Sequence, residues 1–325
     1  MTDIALLAAS SYLSPGRTDE VARECPTDHG AARALLESHF LFDVVDRYAD
    51  FSKYKLLILP DVIRLDEALT DAIERYWKAG GRLLLTGASG LACDAERFAF
   101  DIGAEYEGVS PYNPDYVLPD PDLRPEFVNS PFVMYGSSHR VRATSGRSLG
   151  LVFDSYFNRT AKHFCSHQHS PAKPAPSGFD AAIASERVIY LAHPVFSIYK
   201  DKGALTTKRA RAIDVLLGGE HTVQTNLPSF GRITVTRQAA QSRDIIHLLC
   251  AAPINRGVFH HGPIEVVEDL VIVPGVEVRY RPRQPICRAT LEPQGSELTI
   301  SVKDGDISLF VDRVAGHQMI ALHYA

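Results

Sequence analysis

Cysteine is scarce and scattered in this chain: Cys25, Cys93, Cys165, Cys250 and Cys287 are the only five in 325 residues. An odd number at irregular spacing argues against a disulfide framework and points to a reducing, cytoplasmic setting. Long hydrophobic runs are missing too. No segment approaches the ~18 apolar residues that suggest a membrane-spanning helix. The start, MTDIALLAASSYLSPG, carries an acidic residue where a secretory leader would carry basic ones. Neither a membrane anchor nor a leader is therefore expected. Dense Lys/Arg clusters are lacking, and the formal net charge is −5, so nucleic acid is not an expected partner. There is no G-x-G-x-x-G and no P-loop lysine, and no cofactor is expected. Internal repeats and low-complexity tracts are absent as well.

What remains is an ordinary soluble composition, 45% hydrophobic and 22% charged. The length suggests about two domains and suffices for a core without covalent staples. DIALLAAS (residues 3–10) is a continuous apolar run, as buried parallel strands show. Thr27-Asp28-His29-Gly30 offers helix-initiating side chains ahead of AARALLESHF. FDVVD and YKLLILP read as further strands. Leu65, Leu69, Ile73 and Trp77 then recur at helical spacing up to Gly80-Gly81. RLLLTG (82–87) is the next strand. This alternation predicts an α/β fold with a doubly wound parallel sheet. The proline-rich stretch PYNPDYVLPDPDLRPEF predicts excursions at the sheet edge. SLGLVF (148–153) and RVIYLAHPVF (187–196) resume strand character, and residues 204–217 read as a helix stopped by Gly218-Gly219.

Beyond Thr222 the pattern changes. RITVTRQ, DIIHLLCA, IEVVEDL, VEVRY, RATLEP, ELTISVKDG, SLFVDRV and QMIALHY are short alternating segments separated by turn residues. They predict an antiparallel β-sandwich. The expected organisation is an α/β domain over residues 1–222 followed by an all-β sandwich domain over 223–325. His260-His261 falls in a hairpin of the second domain and reads as a solvated turn.

The most specific stretch is YKLLILPDVIRLDEALTDAIERYWKAGGRLLLTGASG, residues 54–90. It resembles the trimerisation domain of family 42 β-galactosidases: a Y-K-hydrophobic-P strand, a helix of acidic and apolar alternation, then A-G-G-x-L leading into a Gly/Ser turn. With HFCSHQH (163–169), HPVFSIY (193–199) and IEVVEDLVIVPGVEVRY (264–280), the wider layout is similar to the hypothetical glycosyl hydrolase-like family six. The resemblance implies a carbohydrate-processing protein in which a catalytic barrel precedes such an α/β domain and a C-terminal β-domain. It also implies a homo-oligomer, with a trimer favoured. No barrel pattern occurs in this chain. A glycosidase needs two carboxyl groups about 5 to 9 Å apart, usually at barrel strand ends. Asp61 and Asp66 follow a strand, but at the start of a helix, where negative charge suits the helix dipole. The chain alone is therefore expected to be a non-catalytic oligomerisation and accessory module.

The first domain also resembles flavodoxin-like folds and class I glutamine amidotransferases. Those enzymes carry a nucleophilic cysteine on a tight turn after a strand, with His-Pro-Glu supplying base and orienter. The matching turn here, Gly87-Ala88-Ser89-Gly90-Leu91, has no cysteine; Cys93 lies further on and reads as a buried small residue. Val195 follows His193-Pro194 and cannot orient an imidazole. A stand-alone hydrolase would pair Ser89 with His193, because a hydroxyl needs an adjacent base, or would use a metal at the histidine-rich loop. Leu91, however, stands where the G-x-S-x-G elbow needs glycine. A small-residue turn is the simpler reading.

HFCSHQH sets His163, Cys165, His167 and His169 at alternate positions, three of the chain's thirteen histidines. If extended, all four face one side, and imidazole and thiolate bind zinc at about 2.0 and 2.3 Å. Alternate residues stand about 6.5–7 Å apart, too far to share an ion unless the segment kinks. The resemblance implies a second role. In trimeric glycosidases the equivalent domain packs near the barrels, so Tyr156, Asn158, Arg159, His163, His167 and His169 would help to wall a sugar site. A ring for stacking and fixed donors and acceptors suit that task. The third reading is an ordered polar loop whose imidazoles cap backbone groups. Asn158-Arg159-Thr160 matches a glycosylation sequon, which matters only in a secreted protein.

Overall fold

A computed structural model describes residues 1–13, 25–203, 211–259 and 262–325. The chain divides into two compact units. The first comprises Ile4–Ala34 and Asp43–Gly219, the second Met1–Asp3, Leu35–Phe42 and Glu220–Ala325.

The first unit opens with β1 (Ile4–Leu7), α1 (Ala9–Leu13), α2 (Pro26–Glu37), β2 (Phe42–Val45), β3 (Leu56–Leu59), α3 (Glu67–Lys78) and β4 (Arg82–Thr86). It continues through β5 (Ala104–Val109), β6 (Asp115–Pro119), β7 (Phe132–Met134), β8 (His139–Ala143), β9 (Arg147–Ser148) and β10 (Gly150–Phe153). It closes with β11 (Ala182–Ser185), β12 (Val188–Leu191), α4 (Val195–Lys202) and α5 (Arg211–Leu217). Seven strands form its main sheet in the order β2-β1-β3-β4-β12-β11-β9. The pairs β1–β3, β3–β4 and β4–β12 are parallel. Every residue of β1 and β3 is buried, which is why both read as unbroken apolar runs. The sheet is not parallel throughout, because β11 runs antiparallel to both its neighbours. Only Glu186 and Arg187 separate β11 from β12, too few for a crossover.

Helix α3 follows its sequence signals. Asp66 caps it by accepting from Leu69 N at 2.9 Å, and Leu69, Ile73 and Tyr76 are buried. Helix α2 starts earlier than its apparent cap. Asp28 lies in its first turn and accepts instead from Ala9 N (2.7 Å) and Ser10 N (2.9 Å), at the start of α1. SLGLVF is split rather than continuous: β9 joins the main sheet, and β10 joins a three-stranded sheet, β10-β6-β7. Gly150 makes the break, with φ +128°, and a Cβ there would lie 2.5 Å from Pro119 Cα. Residues 204–210 of the expected helix, and His260-His261, lie outside the described residues. No helix among the described residues is long and apolar enough to cross a membrane.

In the second unit the strands are β13 (Val223–Thr225), β14 (Gly231–Gln238), β15 (Arg243–Cys250), β16 (Ile254–Phe259), β17 (Gly262–Val266) and β18 (Ile272–Tyr280). They continue as β19 (Ile286–Glu292), β20 (Ser296–Leu298), β21 (Ser301–Lys303), β22 (Asp306–Ala315) and β23 (His317–Tyr324). One sheet has the order β13-β18-β22-β21, a second β14-β15-β23-β19-β20, and β16 pairs with β17 as a separate ribbon. Val276, Val278, Leu309 and Val311 of the first sheet share a core with Ile233, Ile246, Leu248 and Ile320 of the second. Leu41 belongs to the same core. Asp3 N donates to Leu41 O at 3.0 Å, and the Asp3 carboxylate accepts from Thr222 N (2.8 Å) and Oγ1 (2.7 Å).

Asp244 links the two sheets. Its fully buried carboxylate accepts from Arg237 Nε (3.1 Å), from Tyr324 OH (2.6 Å) and, across the core, from Tyr280 OH (2.7 Å). Burial alone would raise this carboxyl, but the three donors and the Arg237 charge together hold it below the usual carboxylate range. A folded-state value below the unfolded one gives stability that is complete above the unfolded value near pH 4. That stability is lost as pH falls through the folded value. Asp244→Asn is expected to cost about 3 kcal/mol at neutral pH. The difference should shrink as pH drops below about 4. Urea midpoints of both proteins across that range test it; a difference that does not change with pH contradicts the assignment.

Candidate functional site

From Ser155 to Pro171 the chain forms bends and turns, with one isolated bridge between Ser155 and Ala172. Its backbone needs partners from elsewhere, and the turn at residues 111–114 provides them. Ser155 Oγ donates to Pro114 O at 2.5 Å, and Asn158 Nδ2 donates to Pro111 O at 2.6 Å. Asn158 Oδ1 accepts from Asn113 N at 2.8 Å. At the far end, Tyr116 OH donates to Ser170 O at 2.7 Å. Close to Ser155, Arg140 Nη2 stands 2.5 Å from Asp154, largely out of solvent, with its guanidinium over the Phe179 ring. Lys173 Nζ is 3.6 Å from the other Asp154 oxygen and donates to Tyr112 OH at 2.9 Å.

The histidine segment is not an extended ladder. The Cys165 thiol donates to the carbonyls of His167 (3.6 Å) and His169 (3.5 Å), which curls the segment around the sulfur. His163 stacks on Phe157 with ring centroids 3.8 Å apart. His167 meets His169 edge-on at 4.8 Å, and the His169 ring also contacts Tyr116 and Tyr135. Burial, reinforced by His167, lowers the His169 pKa. His169 Nδ1 is buried without a hydrogen-bond partner. Arg159 Nη1 donates to Gln168 O at 3.2 Å, drawing the two arms of the loop together. Tyr156 is 55% exposed. Asn158, by contrast, engages both its polar ends with the 111–114 turn. Among the described residues, no group of three or more His, Cys, Asp or Glu is placed to hold a metal ion.

Ser89 and His193 each have another partner. Ser89 is fully buried, and its Oγ accepts from Ile63 N at 3.0 Å. His193, just past the end of β12, sets Nε2 2.5 Å from Asp115 Oδ1, and both side chains are buried. Asp115 Oδ2 accepts from Ser138 N (3.1 Å) and Oγ (2.6 Å). Burial works to raise Asp115, but the His193 and Ser138 contacts prevail and its pKa is lowered. His139 is pushed down to about 4, first by burial and then by the charge of His193. No hydrogen bond joins Ser89 to His193 among the described residues. Cys93, expected inside, is exposed.

Asp66 caps α3 as its position suggested, but Asp61 serves a different helix. Buried and held at φ +50°, it accepts from Phe196 N (3.3 Å) and Ser197 N (2.6 Å) at the start of α4. Thr86 Oγ1 (2.7 Å) and Ser197 Oγ (2.7 Å) also donate to it. Burial pushes the Asp61 carboxyl up, and these hydrogen bonds pull the other way. Sequence reasoning missed this cluster, the Asp115–His193 pair and the Arg140–Asp154 pair. The only signal for Asp115 was a carboxylate at the head of the otherwise apolar run DYVLP.

Known proteins can be set beside this geometry. Residues 32–101 match the β-galactosidase trimerisation domain. Over 100% of its length the chain superposes on α-L-fucosidase isoenzyme 2 from Paenibacillus thiaminolyticus, with 36% identity and a TM-score of 0.92, covering 49% of that protein. A GH42 β-galactosidase from G. stearothermophilus shares 12% identity at a TM-score of 0.58, over 99% of this chain and 40% of that one. The β-galactosidase from Bacillus circulans sp. alkalophilus shares 11% at 0.57, over 99% and 41%. No curated protein sequence matches. These likenesses are consistent with a β-galactosidase-like C-terminal region, and the chain spans about half the length of the fucosidase.

Tyr116→Phe removes the anchor at the Ser170 end of the loop. A net hydrogen bond of about 1 kcal/mol predicts roughly fivefold faster amide exchange over residues 163–170. Exchange in β1, β3 and β4 should be unaltered. Hydrogen–deuterium exchange mass spectrometry resolves the two regions.

Proposed function

We propose that this chain is a non-catalytic oligomerisation and accessory module of a glycoside-hydrolase-like, carbohydrate-processing protein. In this reading the first unit is a flavodoxin-like, class I amidotransferase-like α/β domain that assembles homo-oligomers, a trimer first among them. The partner is a catalytic barrel, in the same polypeptide or another subunit. The observation that carries the proposal is the match along the whole chain to a protein described as an α-L-fucosidase, of which it spans only 49%. The trimerisation-domain match over residues 32–101 supports assembly. Five free cysteines agree with a cytoplasmic setting.

The histidine-rich loop is the part of the module proposed to meet the sugar. The exposed Tyr156 ring, the His163–Phe157 stack, exposed His167 and the unpartnered Nδ1 of His169 are the features that support it. Arg159 and Asn158 would act mainly by holding the loop, since their polar groups already bond backbone. A loop pinned at both ends presents such groups at little further entropic cost.

Light scattering is expected to give a particle of three times the 35.8 kDa chain mass, and the chain alone should not turn over nitrophenyl fucosides or galactosides. A monomer, or hydrolysis abolished by one carboxylate substitution in this chain, would refute the reading. In a preparation that includes the catalytic part, His167→Ala should raise KM about tenfold without changing the oligomer. An unchanged KM would remove the loop from the sugar site.

A further inference from the structure

A cavity of about 400 Å³ lies within the first unit, away from the histidine loop's own contacts. It is walled by the C-terminal end of β12, by β11 and by the strands β6 and β7 of the small sheet. Phe132, Met134, Leu149 and Leu191 are among its apolar lining, and among the described residues only His193 and Arg124 bring ionisable side chains to it. The volume falls in the range of small-molecule sites, which are mostly apolar with few polar groups that orient the ligand. The position also fits, since ligands of open α/β sheets bind beyond the carboxyl ends of parallel strands.

His193 gives the cavity its chemistry. Nε2 is committed to Asp115, whose second oxygen is fixed by Ser138. With Asp115 held ionised, that contact places the imidazole proton on Nε2. Nδ1 makes no hydrogen bond among the described residues and is the ring's remaining polar atom for a ligand. The ring is only 2% exposed. A polar ring edge facing a mostly apolar cavity is poorly solvated, and a hydroxyl held there would give it a partner. Ser89 is not available for the task, being bonded to Ile63 N.

We propose that this cavity binds a small, largely apolar molecule bearing one hydroxyl group, which forms a hydrogen bond with His193 Nδ1. The site is independent of the sugar-facing role given to the loop, and either can fail without the other.

Equilibrium dialysis of the full chain against 2-naphthol and 2-methylnaphthalene tests it. The two probes have nearly the same shape, and by burial of apolar surface alone the methyl compound would bind more tightly. The hydrogen bond should reverse that order, with one saturable site per chain and 2-naphthol bound about tenfold more tightly. His193→Phe is expected to abolish the preference, and Met134→Trp, which fills the cavity, to abolish binding of both probes. No saturable binding, equal or tighter binding of 2-methylnaphthalene, or an undiminished preference in a folded His193→Phe variant would overturn the proposal. Should either variant fail to fold, the order of the two probes on the unaltered chain decides alone.

Discussion

One buried carboxylate sets the geometry of the first unit. Asp61 leaves the end of β3 in a left-handed conformation that a non-glycine residue adopts only where its surroundings require it. Its side chain gathers Thr86 at the end of β4 and the opening amides of α4. Its carbonyl accepts from Ala88 N at 2.6 Å. The following turn is correspondingly tight: Gly87 has φ +58°, and a Cβ there would come within 2.7 Å of Asp61 O. The same contacts fix where α4 begins, and with it His193 and the cavity wall. A carboxyl buried in this place is tolerable because four donors surround it; removing one would leave a buried acceptor short of its partner.

Much of this framework was legible because its physics is local. β1, β3, β4 and β12 announce themselves as apolar runs, since strands covered on both faces need no polar side. Helix α3 carries its period, its cap at Asp66 and its stop at Gly80-Gly81 together. Where a single residue decides, the signal vanishes. SLGLVF keeps its strand composition across Gly150, yet the chain changes sheets there, because the close approach to Pro119 is a tertiary fact. Asp28 looked like the cap of its own helix and instead serves the helix before it.

The functional features were legible in proportion to how little they depend on distant partners. HFCSHQH stands out by composition, but alternation implied an extended segment, whereas a thiol with two carbonyls in reach bends it. His193 was visible as part of a His-Pro step. Asp115, its partner, lies 78 residues away inside a proline-rich passage, so no spacing rule could join them. The histidine loop and the cavity thus rest on different physics: one on exposed rings over a pinned backbone, the other on an imidazole at the wall of a mostly apolar cavity.

The second unit has one further property. Asp3 and Leu41 are synthesised early, yet Thr222, which donates to Asp3, and most of the core that Leu41 joins follow Glu220. Its closing pairs, such as β15 with β23, reach almost to the end of the chain. On the ribosome these early residues must wait, with Leu41 unburied, until most of the polypeptide has emerged. Such long-range pairing slows folding and prolongs the exposure of apolar surface. A cut made at residue 220 would not liberate a finished domain, because it would strip away Leu41 from the core and the carboxylate that receives Thr222.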